Sequence, residues 1–360
     1  MDRRYASYAR LQAQQLEVRE VPSTGGLDQP QVVPSPAPQV QVAKPLLEEP
    51  RGRYAVGTNG GGTSQVNVYD AKTGAMLGII NPFGKNYTGG VTVATGDVTG
   101  DGIEDIVVGA GRGRAPSIKV YDGRTLREVG SFHGLSSTFT GGTSVAVGDI
   151  SGDGRADIVV GAGVGSMSQV KAYDGAALFT ASGKQAVAQP TAIRNFIAFD
   201  KTFRGGVSVS VGDLNNDGIG DIVVGQGPGA GGVRAFDGKT SAQFLDLKPY
   251  GPSYDLGVSV AVGDVNGDGK KDIVTGAMRG SPTIIAWNAD GSKLASYQAF
   301  DGKVGSRVAL QDIDGDGRSE VIVSVGSGKP GVRVLNALTG QVRRSFPAVM
   351  PHFNSGLTVG

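Results

Sequence analysis

A nine-residue acidic phrase occurs five times in this chain, and each copy leads directly into a run of β-formers. The first copy is Asp97-Val-Thr99-Gly-Asp101-Gly-Ile103-Glu-Asp105, followed by Ile106-Val-Val-Gly109. Later copies begin at Asp149, Asp213, Asp264 and Asp312. Oxygen-bearing side chains stand at positions 1, 3, 5 and 9, and a glycine follows position 5. Alternate spacing turns several oxygens toward one centre, and the glycine permits the positive φ that curls a loop round an ion. Hard oxygen donors in this number suit calcium.

The candidate ligands are therefore Asp97, Thr99, Asp101 and Asp105; Asp149, Ser151, Asp153 and Asp157; Asp213, Asn215, Asp217 and Asp221; Asp264, Asn266, Asp268 and Asp272; and Asp312, Asp314, Asp316 and Glu320. Position 7 (Ile103, Arg155, Ile219, Lys270 and Arg318) would contribute its main-chain carbonyl. An EF-hand shares the first half of this pattern but needs flanking helices and a bidentate Glu at position 12. Here position 12 is Val108, Val160, Val224, Thr275 or Val323, inside an apolar run, so the EF-hand fails. A metal-free Asx turn would account for one copy. Five copies, each crowding three or four carboxylates into nine residues, would repel themselves without a cation. The fifth copy carries four carboxylates at the ligand positions where the others carry three, which predicts tighter calcium binding there.

Sixteen of the 33 acidic residues are candidate ligands in these loops. The net charge of +1 would become about +11 with five divalent ions bound, so a loaded molecule would look basic to a partner. Cysteine is absent, which removes disulfides and thiolate metal sites. No apolar run approaches the ~20 residues of a membrane span, and no secretory h-region stands near the start.

Residues 1–50 differ in kind from the rest. Asp2 to Val21 could form a short helix with a thin apolar face, and seven prolines fall between Pro22 and Pro50. That composition predicts a flexible segment and linker. From Arg53 a period near 51 residues takes over, with loops 52, 64, 51 and 48 residues apart. One unit reads as Thr143-Ser-Val-Ala-Val147, acidic loop, Ile158-Val-Val-Gly161, Gly-rich turn, Val170-Lys-Ala-Tyr173, and a last strand. Four short strands at this period predict a β-propeller blade. Tyr54-Ala-Val-Gly57 aligns with Ile106-Val-Val-Gly109, whereas Leu357-Thr-Val359 aligns with a first strand. The two ends would then share one blade and close a ring of six.

Units of the form GGVSVAVGD, DGxxDIVVGAG and VKVYDG resemble FG-GAP/VCBS repeats, the calcium-loop propeller repeats of integrin α-subunit heads and many bacterial surface proteins. The resemblance covers residues 53–360. It implies an all-β calcium-binding propeller, with the calcium loops on one face and ligand or subunit contacts mainly on the other. Integrin heads usually have seven blades, which keeps seven as an alternative count. Leu16-Glu17-Val-Arg19 resembles the Leu-Glu-x-Arg sorting segment of some bacterial secreted proteins.

Other features read as architecture. Gly109-Ala-Gly111-Arg-Gly113 lacks the helix that a dinucleotide fingerprint needs next. The two histidines, His133 and His352, fall before first strands and cannot build a catalytic triad. Trp287 occupies the slot of Tyr121, Tyr173 and Phe236, which predicts packing between blades. Tyr87, Phe139, Phe203, Tyr254 and Phe353 recur before first strands and read as repeated core. Arg112, Arg114, Arg279 and Lys329 all fall in the turn after the second strand, on the face opposite the loops. The expected function is a secreted or cell-surface binding and adhesion module, monomeric, with about five structural Ca²⁺. Its expected ligand is a protein or acidic glycan, with no nucleic acid and no membrane span. A polysaccharide lyase or hydrolase, or a lectin, remains the alternative, and the 175–200 insertion has no assigned role.

Overall fold

Each Ile-Val-Val-Gly run that follows an acidic phrase becomes a strand buried along its whole length, because neighbouring sheets cover both of its faces. The computed structural model describes residues 52–61, 63–180, 182–326, 331–347 and 356–360. These form six four-stranded antiparallel sheets. The first combines β24 (Leu357–Val359) with β1 (Arg53–Thr58), β2 (Val66–Asp70) and β3 (Met76–Ile80). The second is β4 (Val91–Gly96), β5 (Asp105–Ala110), β6 (Ser117–Tyr121) and β7 (Glu128–His133). The third is β8 (Thr143–Gly148), β9 (Asp157–Ala162), β10 (Gln169–Tyr173) and β11 (Arg194–Ile197). The fourth is β12 (Val207–Gly212), β13 (Asp221–Gln226), β14 (Val233–Phe236) and β15 (Gln243–Leu247). The fifth is β16 (Val258–Gly263), β17 (Asp272–Ala277), β18 (Thr283–Trp287) and β19 (Lys293–Gln298). The sixth is β20 (Ser306–Gln311), β21 (Glu320–Val325), β22 (Gly331–Leu335) and β23 (Val342–Pro347).

The inner strands β4, β8, β12, β16, β20 and β24 touch in a closed cycle, so the fold is a six-bladed β-propeller. Six blades is the number expected from the sequence, and the ends share a blade as their alignment required. Val56 pairs with Val359 and Thr58 with Leu357. Ala55 N–H also donates to the Gly360 carbonyl at 2.7 Å. Leu357 is fully buried beside Tyr54 and Val334, so the closing strand is part of the core. The second strands β1, β5, β9, β13, β17 and β21 are buried at every residue. Outer strands such as β7 and β19 mix exposed and covered residues, as half-exposed strands should.

Adjacent inner strands are fastened at their second residue. Thr92 Oγ1 donates to the Thr143 carbonyl at 3.1 Å, Ser208 Oγ to Val258 at 2.7 Å, and Thr358 Oγ1 to Val91 at 3.0 Å. Ser144 Oγ and Ser259 Oγ instead accept the N–H groups of Val209 and Val308, each at 3.2 Å. The register partner of each hydroxyl residue is a glycine: Gly109, Gly225, Gly57, Gly161 and Gly276. A Cβ on Gly109 would lie 2.5 Å from Thr143 Oγ1 and 2.6 Å from Thr92 Oγ1, which leaves only hydrogen there. In the sixth blade the pair is Arg307 and Ser324, and the hydroxyl has moved across it. Ser324 Oγ donates to the Leu357 carbonyl at 3.1 Å, so that seam is fastened too. Toward the other end, the inner strands line a cavity of about 120 Å³ open to solvent, walled by Val93, Val145, Val209, Val260 and Val308.

The 175–200 insertion follows β10 and includes β11 (Arg194–Ile197) near its end. It opens with a single helical turn, α1 (Gly175–Leu178), capped by Asp174. Gln185 then accepts from Ser131 N–H at 2.9 Å and donates back to its carbonyl at 2.9 Å, covering the edge of β7. Leu178 and Phe179 complete the core between the second and third blades.

Two substitutions probe the seams. Gly109→Ala should destabilise the fold by about 1–3 kcal/mol through overpacking, measured by urea denaturation. Removing residues 356–360 leaves β1 without a partner on one side and should lower the melting temperature in calorimetry by more than any single seam variant. An unchanged melt would mean the ring does not depend on that strand.

Candidate metal centres

The five acidic phrases connect the first and second strands of five blades, all at one end of the ring. Each loop makes two left-handed residues, and one was anticipated. Gly102, after position 5, has φ 83°, and Gly100 at position 4 has φ 78°. Gly152, Gly267 and Gly315 repeat that second kink, and Asn216 takes it with φ 59°. Curling brings main-chain N–H groups onto the position-1 carboxylate. Asp97 accepts from Gly100 at 2.6 Å, Asp101 at 3.0 Å and Gly102 at 2.8 Å. Asp149, Asp213, Asp264 and Asp312 do the same in their loops. Position 5 is oriented by the N–H of position 7, so Asp101, Asp153, Asp217, Asp268 and Asp316 accept from Ile103, Arg155, Ile219, Lys270 and Arg318.

Position 9 opens the second strand and is buried. Asp105, Asp157, Asp221, Asp272 and Glu320 are all 1% exposed or less. Asp105 accepts from Val98 and Thr99 within its loop, and from Gly123 N–H at 3.1 Å in the turn after the third strand. Asp157 and Asp221 reach Gly175 and Gly238 in the same way. One carboxylate thus ties two connections of a blade together.

Burial disfavours the charge these groups carry. It pushes Asp105, Asp221 and Asp272 up to about 6 and Glu320 up to about 7, with neighbouring loop carboxylates adding to the rise. Asp157 is raised by burial as well. The Thr99 hydroxyl at position 3 is buried without a well-formed hydrogen bond. At the other position-3 residues, Ser151 bonds to Asp149, whereas Asn215, Asn266 and Asp314 accept from the N–H of position 5. Buried carboxylates, four of the five without a counter-charge among the described residues, an all-oxygen donor set and a buried unbonded hydroxyl together fit a hard divalent cation.

Among the described residues, one trio of acidic side chains brings its oxygens mutually within 4.8 Å: Asp312, Asp314 and Glu320 of the fifth loop. That loop also holds a protein cation. Arg343 of β23 donates to Asp314 and stands 2.9 Å from Glu320 Oε1. The loop with the most acid is therefore already partly neutralised, and carboxylate count alone does not order the loops.

Three of the four neighbouring loop pairs are also linked to each other. The position-8 N–H groups of Ala156, Gly220 and Ser319 donate to the position-1 carbonyls of the preceding loops, at Asp97, Asp149 and Asp264. Arg155 reaches further and donates to the carbonyls of Val98 at 2.8 Å, Thr99, and Phe179 at 3.3 Å. So Arg155 at position 7 has a side-chain role in addition to its expected carbonyl. Where the composite blade has no loop, Glu104 bridges the gap. Its carboxylate accepts from Arg53 N–H and from Gln311 at 3.3 Å, and burial raises its pKa. Glu104 sits at position 8, outside the ligand pattern, and its two partners lie 51 and 207 residues away. No local signal marks it.

Other expectations resolve as follows. Gly109 to Gly113 connects two strands, so that GxG is a turn. Trp287 donates to Thr275 Oγ1 at 3.1 Å and packs against the core of the fourth and fifth blades. Tyr87, Phe139, Phe203 and Tyr254 are half-buried, and Tyr87 and Tyr254 cap the carbonyls of Arg112 and Arg279. His133 is the last residue of β7, not part of a turn, because strand pairing with Ser117 extends to it. Arg114 lies over the rings of Phe83 and Tyr87, at 4.6 and 5.3 Å, and so is not a free surface charge. His352, Lys329, Phe353 and residues 1–50, with Leu16 to Arg19, lie outside the described residues. No helix among the described residues is long and apolar enough to cross a membrane.

A family model described as an FG-GAP-like repeat matches residues 97–160, 213–275 and 264–323, and each match begins at the first aspartate of a loop. The chain is an FG-GAP-repeat propeller. Integrin alpha-V of Gallus gallus is 29% identical over 228 residues, covering 56% of this chain and 21% of that protein. Integrin alpha pat-2 of Caenorhabditis briggsae is 33% identical over 233 residues, covering 54% and 18%. The chain thus spans about a fifth of the length of these integrin relatives. A Bacteroides caccae protein of unknown function has a similar fold, with a TM-score of 0.51 at 12% identity over 86% of this chain and 98% of its own.

The loop chain makes a direct prediction. Arg155→Met removes charged hydrogen bonds to a neighbouring loop and should lower stability by about 1.5–3 kcal/mol in denaturant titration. A variant as stable as the parent would show that the loops behave independently.

Proposed function

We propose that this propeller is a calcium-dependent binding module without catalytic activity, working outside the cytosol as a secreted or surface-exposed adhesion component. The observation that carries this is the set of five buried position-9 carboxylates, each raised in pKa by burial and each at the centre of a curled oxygen-rich loop. In the first loop Asp97, Thr99, Asp101, Asp105 and the Ile103 carbonyl would hold the ion, with the equivalent residues in the other four. Calcium supplies a counter-charge that lets these carboxylates ionise where they are buried. Its role is structural: a loop held by the ion presents position 9 to the turn of its own blade and positions 1 and 8 to its neighbours. Residues 1–50 would serve as a tether to the propeller of residues 53–360.

Sites of this kind belong to the extracellular affinity class, with Kd on the order of 10⁻⁴–10⁻³ M or somewhat tighter. They would stay empty at trace calcium, which supports a location outside the cytosol. The FG-GAP-like repeats and the integrin-like relatives support a binding role over an enzymatic one. The binding surface would lie on the face opposite the loops, where Arg112, Arg204 and Arg279 are exposed.

Calorimetry should report about five bound Ca²⁺, and the melting temperature should rise with calcium concentration. No heat of binding together with a melt indifferent to EDTA would refute the proposal. Arg343→Ala frees Asp314 and Glu320 and should tighten calcium at the fifth loop several-fold while the other loops keep their affinity. An array of glycans and candidate protein ligands, run with and without calcium, separates a lectin from a protein-binding module.

A further inference from the structure

Five of the six inner strands place a hydroxyl at their second residue, and each hydroxyl is engaged in a seam. Only β20 has a cation there. Arg307 is relieved of the seam because Ser324 fastens it from the paired strand. Among the described residues the Arg307 side chain makes no hydrogen bond or ion pair, and its Nε is buried without a partner. Another cation, Arg279, exposed in the turn after β17, acts on it electrostatically. Both residues stand at the end of the ring away from the acidic loops: Ser306 begins β20, whereas the loop at Asp312 follows it. Arg307 is partly exposed, but a guanidinium N–H removed from water and left unpaired is destabilising until an acceptor arrives.

We propose that Arg307, assisted by Arg279, is a carboxylate-binding site on the face opposite the acidic loops, and that it takes an aspartate or glutamate side chain of a protein partner. Two forked cations with no ion pair among the described residues call for an anion, and guanidinium geometry matches a carboxylate bidentately. The surroundings favour a protein segment over a sugar. The seam hydroxyls and those of Tyr87 and Tyr254 are already bonded to main chain, which leaves few donors for a saccharide. Leu256 beside the preceding inner strand is 39% exposed, and its side chain reaches Gly280, next to Arg279. An acidic side chain on an apolar segment complements that mixture. This site rests on the binding-module reading, and it names the partner's chemistry.

The test uses the full chain in saturating calcium and two probes, an acetylated, amidated Leu-Glu-Leu tripeptide and its Leu-Gln-Leu counterpart. The glutamate peptide should bind at least about tenfold tighter and shift the Nε–Hε resonance of Arg307. In Arg307→Thr, which restores the residue type of Thr92 and so should fold, the two peptides should bind alike. Arg307→Lys should keep part of the preference. Equal binding by the parent, or a preference that survives Arg307→Thr, overturns the proposal. So does a sulfated hexasaccharide that shifts the Arg307 resonance when the peptide does not. Calcium calorimetry on the same variant should be unchanged, so loss of carboxylate binding and failure of the calcium reading are separate results.

Discussion

Every blade of this ring depends on contact between inner strands that are not paired as a sheet. A β-strand satisfies its neighbours on either side through the ladder, but an inner strand has a ladder on one side only. The seam hydroxyls solve that problem with one hydrogen bond each, from Thr92, Ser144, Ser208, Ser259 and Thr358, and from Ser324 in the last blade. The paired glycine matters as much as the hydroxyl. Without a Cβ at Gly109, Thr92 Oγ1 and Thr143 Oγ1 can both approach the second strand. Close packing on both sides then buries that strand, and so the Ile-Val-Val core follows from the seam geometry.

At the opposite end the connection is electrostatic and main-chain in character. Position 9 of each loop joins the first-to-second strand connection to a third-to-fourth strand turn in three blades, and position 8 joins one loop to the one before. Neutralising one loop therefore affects more than its own blade. The composite blade breaks this chain, since no loop lies between β24 and β1. Glu104 replaces the missing link by using its side chain where the other blades use backbone. The fifth loop departs in another way, because Arg343 supplies charge from within the fold. These departures fall at the two ends of the repeat array, where a regular unit has no regular neighbour.

Most of the fold was legible because its signals are local. Alternation, glycine punctuation and a four-strand period are written within fifty residues, and aligning Tyr54 to Gly57 with a second strand was enough to expose the shared blade. The loop curl was half legible: glycine at position 6 was read, but the equally regular Gly100, Gly152, Gly267 and Gly315 at position 4 were not. The hydroxyl–glycine pairs were also visible in the sequence, as a small hydroxyl residue in one strand and a glycine in the next. Their purpose becomes clear only once the register is known. Glu104, Arg155 and Arg343 were not legible at all. Their partners are set by how blades stack, or by which turn a long side chain can reach, and no spacing along the chain encodes that.

Repetition makes exceptions informative. Where five inner strands agree on a hydroxyl, a sixth that carries arginine has either lost a seam or gained a task. The Ser324 hydrogen bond to Leu357 shows that the seam is kept, so the arginine is free of it. Carrying that cation has an energetic cost that a threonine would avoid, because desolvation lowers the pKa of Arg307 and Arg279 adds repulsion. A fold that could satisfy its closure with threonine, as it does at Thr92 and Thr358, gains no stability from arginine at this point. The two ends of the ring thus carry opposite electrostatic problems. At one end four of the five buried position-9 carboxylates face no protein cation, and at the other the Nε of Arg307 is buried facing no acceptor among the described residues, so the two ends invite ligands of opposite charge.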